Sequence, residues 1–280
     1  MAFWPCLATR PFSNDSKLEP AHMDTTKERL TCTPPRFKLS RLSKELYVSF
    51  LHKAQAQGFS FCRFRELDGA DRRRCIVIRH DIDLSPKYAL LMAKIEHELR
   101  IATTYFVMLD GQFYNALEPE NVKAIRAIQE LGHEVGLHFS AKSSIEGDID
   151  RDIQFQMGIL EAIIEAPVFS FSQHDPVNAG SVEPGSGRYV DAYGAIPKYD
   201  LLYVSDSGMM WREHTFEAAL GANRSLCLLA HPISWLHEKD DLIAIIREVE
   251  DDERRRAAQR FDTFADNHIK YYERRLSEGV

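Results

Sequence analysis

The sequence predicts an α/β protein in which helices surround a parallel sheet. Short β-branched or aromatic runs alternate with helical stretches from residue 75 to residue 230, the pattern of strand–helix–strand crossovers. At least six such runs occur, enough for a barrel or an open sheet, and periodicity alone does not choose between them. Acids and imidazoles fall repeatedly just after these runs, where parallel α/β proteins gather their reactive groups.

Residues 1–37 hold Pro5, Pro11, Pro20, Pro34 and Pro35 among polar residues and show no sustained periodicity. They read as a flexible tail ahead of one domain over residues 38–280. Leu42, Leu46, Phe50 and Leu51 recur at helical spacing, and Gly58 supplies a stop. Phe61–Phe64 suggests a short strand, and Cys75–Arg79 a buried one. Pro86–Leu99 reads as a helix with Pro86 in its first turn and Ser85 as its cap. Thr103–Met108 is a strand, Glu118–Leu131 a helix and His133–His138 a strand. In the helix Asp150–Glu165, Ile153, Met157, Leu160 and Ile164 share one face. The strand Val168–Ser172 precedes a Gly/Pro/Ser-rich loop over residues 177–187. Leu201–Ser205 and Leu226–Ala230 are further strands. A long amphipathic helical region from about Asp240 to Leu276 closes the chain and is expected to be broken or bent.

The net charge of −7 over 280 residues argues against a nucleic-acid binder. The cluster Arg254–Arg256 adjoins Asp251, Asp252 and Glu253, which fits a solvated helix face. Cys6, Cys32, Cys62, Cys75 and Cys227 are odd in number and form no Cys-x-x-Cys pair. A disulfide framework is not expected, which points to a reducing compartment. No apolar run reaches membrane-spanning length. Met1–Arg10 makes a poor signal peptide, because Pro5 interrupts its apolar residues and no basic stretch precedes them. The chain is read as cytoplasmic. It has no GxGxxG and no GxxxxGK[ST], so nucleotide-binding readings lose weight.

The residues placed after strands are Asp81 and Asp83, then Tyr114 and Asn115, His138, His174 and Asp175, Asp206, and His231. Carboxylate plus imidazole is the ligand set of a catalytic zinc or similar divalent ion. Asp81 or Asp83 is expected to share such an ion with His138 and His174. The plainer readings are weighed beside this. Asp81 and Asp83 can be turn or capping acids, although Ser85 already offers a cap. His133 begins its run and reads as structural, and His237 and His268 read as loop or surface residues.

These residues lie in segments that resemble the polysaccharide deacetylase superfamily, the NodB-homology or family-4 carbohydrate esterase group. The matching pieces are Arg79-His80-Asp81-Ile82-Asp83, Ala102–Phe106, Gly132-His133-Glu134-Val135-Gly136-Leu137-His138, Phe171–Pro176, Tyr203–Ser207 with Trp211, and Leu228–Pro232. The branch is divergent, since its first motif is His-Asp-x-Asp in place of Thr-Phe-Asp-Asp. The resemblance implies an incomplete (β/α)7-type barrel, a bound divalent metal and removal of acetyl groups from N-acetylated sugars or sugar precursors. It matches Asp81 to the base, Asp83 to a metal ligand, His138 to the first metal histidine and His231 to the acid. The usual second metal histidine falls at Lys142, a poor ligand while protonated, and His174 is expected to replace it. Zinc is the first expectation for the metal, with cobalt, nickel or manganese as alternatives. His80, Asn115, Asp175, Asp206 and Trp211 are expected to bind substrate or to support the ligands. Lys142 also raises an alternative: a barrel without catalysis that binds sugars or serves as a scaffold.

Overall fold

The computed structural model describes residues 42–69, 74–109, 111–141, 148–176, 188–209, 215–222, 224–239 and 241–278. The expected tail, Lys142 and Trp211 lie outside these residues.

Among the described residues, eight strands form one parallel sheet: β1 Ser60–Cys62, β2 Cys75–Ile82, β3 Thr104–Val107, β4 Glu134–Phe139, β5 Ser170–Gln173, β6 Val190–Asp191, β7 Leu202–Ser205 and β8 Leu226–Leu229. Their order is β6-β5-β4-β3-β2-β8-β7, with β1 on β2. Among the described residues β6 and β7 do not pair, so the sheet curls into an incomplete barrel. The helices are α1 Lys44–Ala56, α2 Pro86–Glu98, α3 Pro119–Glu130, α4 Ile149–Ile164, α5 Ala195–Lys198, α6 Phe216–Leu220, α7 Pro232–Leu236 and α8 Leu242–Ser277. Among the described residues no helix is long and apolar enough to cross a membrane.

Local chemistry sets the ends of these elements. The Ser43 hydroxyl accepts from Leu46 N at the start of α1. Ser85 does occupy the cap position of α2, but its side chain makes no capping bond, and Pro86 sits at the first helical turn. The closing region is one continuous helix, not the broken one expected. No proline or glycine lies between Leu242 and Ser277, so nothing interrupts its hydrogen-bond ladder.

β2 organises the sheet. All eight of its residues are buried. It pairs with β1 at Cys75–Val77, with β8 at Ile76–Arg79 and with β3 at Arg79–Ile82. Alternation along the strand sorts its side chains. Ile76, Ile78 and Ile82 join the large apolar layer between sheet and helices. Cys75 and Val77 join a smaller cluster inside the barrel with Phe64, Phe106 and Cys227. Arg79 and Asp81 continue that inner face. β2 runs three residues beyond the Cys75–Arg79 expected from the sequence, and this extension carries Asp81 to the barrel mouth.

Candidate metal and acid–base centre

Asp83, His138 and His174 meet at the C-terminal ends of β2, β4 and β5. Each offers one ligand atom, and these atoms lie within 4.8 Å of one another. Asp83 Oδ1 is 3.1 Å from His138 Nε2 and 3.5 Å from His174 Nδ1. The two imidazole nitrogens are 3.1 Å apart. His138 Nδ1 lies 3.0 Å from the Ser172 carbonyl, which only accepts, so Nδ1 carries the proton. Its Nε2 therefore presents a bare lone pair to the carboxylate, the orientation a metal-binding histidine takes. Asp83 Oδ1 is buried and has no hydrogen bond among the described residues. An unsatisfied carboxylate oxygen facing an imidazole lone pair is costly in a buried site. A divalent cation satisfies all three atoms, so the donor set fits zinc or a similar ion. Without an ion, an imidazole N–H must instead face Oδ1; with such hydrogen bonds from His138 and His174, the upward push of burial is outweighed and the Asp83 carboxyl is held well below the usual carboxylate range.

Asp81 stands beside this trio. Its Oδ2 is 3.7 Å from His138 Nε2. Arg79 holds it through two bonds, Nε to Oδ1 at 3.2 Å and Nη2 to Oδ2 at 2.6 Å. Burial opposes ionisation, yet Arg79 and then His138 keep the Asp81 carboxyl below its ordinary value. Arg79 is itself fully buried, donates to Ser172 Oγ and lies over the Tyr193 ring at 4.3 Å. His138 is shifted upward: burial lowers it, and Asp81 and Asp83 more than compensate.

His231 closes the opposite side. Its Nδ1 donates to Asp206 Oδ1 at 2.6 Å, and its backbone N–H donates to Oδ2 at 2.9 Å. Trp235 Nε1 donates to the same Oδ2 at 2.7 Å. Burial depresses His231, but the charge and hydrogen bond of Asp206 prevail, with help from Asp83 and Asp81, and lift it to about 10. The free Nε2 edge is 3.5 Å from Asp83 Oδ2.

Other expected residues are placed differently. His80, expected to bind substrate or to support the ligands, stands away from the trio. It sits on the opposite face of β2 from Asp81, fully buried. Its Nε2 bonds Glu96 Oε1 at 2.8 Å, its Nδ1 lies 3.0 Å from the Ala230 carbonyl, and its ring stacks on Tyr105. Alternation puts it there, because adjacent strand residues point to opposite faces. Asn115 is exposed and also stands apart; its Oδ1 accepts from Leu117 N and its carbonyl from Asn121 Nδ2, so it shapes a turn. Asp175 lines the cavity over the trio. Asp206 is buried and orients His231. Trp211 lies outside the described residues.

Two lobes open over the centre. One, of about 340 Å³, is lined by Gln173, Asp175, Tyr193 and Tyr203 together with Asp81, Asp83, His138, His174 and His231. The other, of about 210 Å³, shares Asp81, Asp83, His174 and His231 but is walled by Leu84, Phe113, Ile233, Leu242 and Ile246. A larger cavity of about 620 Å³ lies between α2, α3 and α8 and contains none of these ionisable groups. The chemistry, not the volume, marks the smaller pair.

Arg79, Trp235, Tyr193 and Tyr203 were not named as site residues from the sequence, although Arg79 and Tyr203 open two of the motif pieces. Arg79 carried a usable signal, since a residue two before Asp81 on a strand shares its face. Trp235 carried a weaker one, lying one helical turn beyond His231. The two tyrosines come from the segments around β6 and β7, and no spacing tied them to the acids.

No family model matches the chain, and no curated protein matches it. Solved structures similar to it include a deacetylase from Streptococcus pyogenes in complex with acetate, at 14% identity and TM-score 0.40, covering 67% of this chain and 81% of that one. A family-4 carbohydrate esterase from Streptomyces lividans in complex with acetate follows at 17% identity and TM-score 0.36, covering 62% and 85%. A pseudoenzyme of the same family from Bacillus anthracis shows 13% identity and TM-score 0.37, covering 65% and 62%.

Proposed function

We propose that this protein is a divalent-metal-dependent deacylase that removes an acetyl or similar acyl group from an N-acylated sugar or sugar precursor. The observation that supports it best is the convergence of Asp83 Oδ1, which has no hydrogen bond among the described residues, with His138 Nε2 and His174 Nδ1, between the Arg79-paired Asp81 carboxylate and the Asp206-held His231 imidazole. A zinc or similar ion there supplies Lewis acidity and brings the pKa of a water toward neutrality. Asp81, kept ionised by Arg79, accepts the proton of the attacking water. His231, kept protonated by Asp206, donates to the leaving amine nitrogen, which departs poorly as an anion. The Tyr193 and Tyr203 lobe offers ring faces and hydroxyls to a sugar, and the Phe113 and Ile246 lobe offers an apolar seat for the acyl group. The sugar itself is inferred from the motif resemblance.

The test pairs elemental analysis of the purified full chain with acetate release from N-acetylhexosamine compounds. Stoichiometric zinc, lost in Asp83→Ala, His138→Ala and His174→Ala, together with acetate release is the expected result. A protein that takes up no divalent metal overturns the reading. The inactive-barrel alternative rests on Lys142, outside the described residues, and a metal-free protein that still binds sugar would favour it.

A further inference from the structure

We propose that the outer half of α8 is a self-association surface that joins two copies of this chain with their helices parallel. The inner half is an ordinary packed helix. Leu242, Ile245, Ile246 and Val249 rest on the core, and Arg260 Nη1 holds Glu118 Oε1 at 2.9 Å. Beyond that point every residue from Phe261 to Glu278 is exposed. At about 1.5 Å per residue this is a rod of roughly 27 Å.

The exposed rod is amphipathic. At about 100° per residue, Phe261, Phe264, Ala265, His268, Ile269, Tyr271, Tyr272 and Leu276 fall on one side. Phe261 is 75% exposed and Leu276 80% exposed. Helices draw their stability from burying such a stripe, not from propensity alone. The six large apolar side chains would bury on the order of 600 Å² per copy, taking about 150–250 Å² for a whole aromatic and counting the exposed share. Two copies reach about 1,200 Å², the lower bound of a specific interface.

Charge selects a second copy and its direction. Asp262, Asp266 and Glu273 follow the stripe along one edge; Arg274 lies beyond the other, and Arg275 projects from within the stripe on that same side. Between Phe261 and Ser277 no side chain forms an ion pair among the described residues, whereas the inner half is laced with pairs such as Arg254–Glu250 and Arg256–Glu253. When two such helices pack face to face and parallel, the acidic edge of each faces the side of the other that carries Arg274 and Arg275. Packed antiparallel, like edges meet, which is unfavourable.

Sedimentation velocity of the full chain at tens of micromolar tests this. The expected result is twice the chain mass, falling to a single chain in Phe261→Glu/Tyr272→Glu with an unchanged melting curve for the body. Asp262→Arg/Asp266→Arg/Glu273→Arg should also be monomeric, because its edges become alike in sign. Mixing it with Arg274→Glu/Arg275→Glu should restore a mixed dimer. A monomeric wild type overturns the proposal, whether the stripe is then covered by residues 1–41 or binds anionic vesicles. A dimer that survives the edge reversal overturns the parallel arrangement.

Discussion

Asp81 and Asp83 are separated by one residue, and this spacing gives them different surroundings. β2 ends at Ile82, so Asp81 still follows strand alternation and faces Arg79, while Asp83 has left the ladder and meets the imidazoles. The sequence alone left open which acid serves as base and which as ligand, because it did not show where the strand stopped. Asp81→Asn is therefore expected to retain zinc by elemental analysis while turnover falls about 10²–10⁴-fold, the usual worth of a general base. Loss of zinc in that variant would make Asp81 a ligand. His231 gives the pH dependence. Its folded-state pKa, about 10, is raised above the ordinary value of about 6.5. The stability it contributes is complete below about pH 6.5 and disappears as pH rises through about 10. In the proposed mechanism the protonated form is the competent one, so the rate should decline on the alkaline side. Asp206→Asn removes the main support of the charged imidazole, and the alkaline limb of the pH–rate profile should move toward neutral pH. A limb that stays in place would remove His231 from the acid role.

Individual elements show how the motif residues divide between chemistry and packing. Gly136 lies on the barrel-facing side of β4, where an added Cβ would stand 2.6 Å from Phe106 Cε1 and 2.8 Å from the Ser170 carbonyl. Backbone and a buried ring cannot yield that space, so Gly136→Ala should destabilise the fold by about 1–3 kcal/mol in urea titration, whatever it does to metal binding. The neighbouring His133 is structural, as its place at the start of the run suggested: Nε2 lies 3.0 Å from the Ala93 carbonyl. Beneath the site, Glu96 accepts from Tyr47 at 2.5 Å, Thr103 at 2.7 Å and Tyr105 at 2.7 Å, and bonds His80 at 2.8 Å. Burial opposes its charge, but His80 prevails and holds it at about 2. Glu96→Ala strands all four partners and should cost about 3–5 kcal/mol. This network was invisible in the sequence because its members come from α1, α2, β2 and β3 at unrelated spacings. The strand–helix alternation was legible because each element carries its own periodicity. The two-residue β6 has none to read.

The molecule as a whole draws its proposed ligands from separate elements, and this couples the ion to the fold. Asp83 follows β2, His138 lies in β4 and His174 follows β5. In the sheet β4 and β5 are neighbours, and β3 stands between β4 and β2. Unfolding scatters the three donors, so an ion that grips them binds the native state and shifts the equilibrium toward it. At a free concentration about 100 times the dissociation constant the shift is about 2.7 kcal/mol. For a domain of this size that raises the melting temperature by roughly 5–10 °C. Zinc should therefore raise the melting temperature of the apo protein, saturating with concentration. Asp83→Ala, which keeps the β2 strand and the barrel layers, should show no such rise. The response should weaken as pH falls, because the His138 imidazole must be neutral to ligate and the neighbouring carboxylates favour its protonated form. A wild-type melting curve indifferent to zinc, cobalt, nickel and manganese at neutral pH would mean that the trio holds no ion. Asp83 Oδ1 would then need protons shared with His138 and His174, and the attacking water would lose its activator.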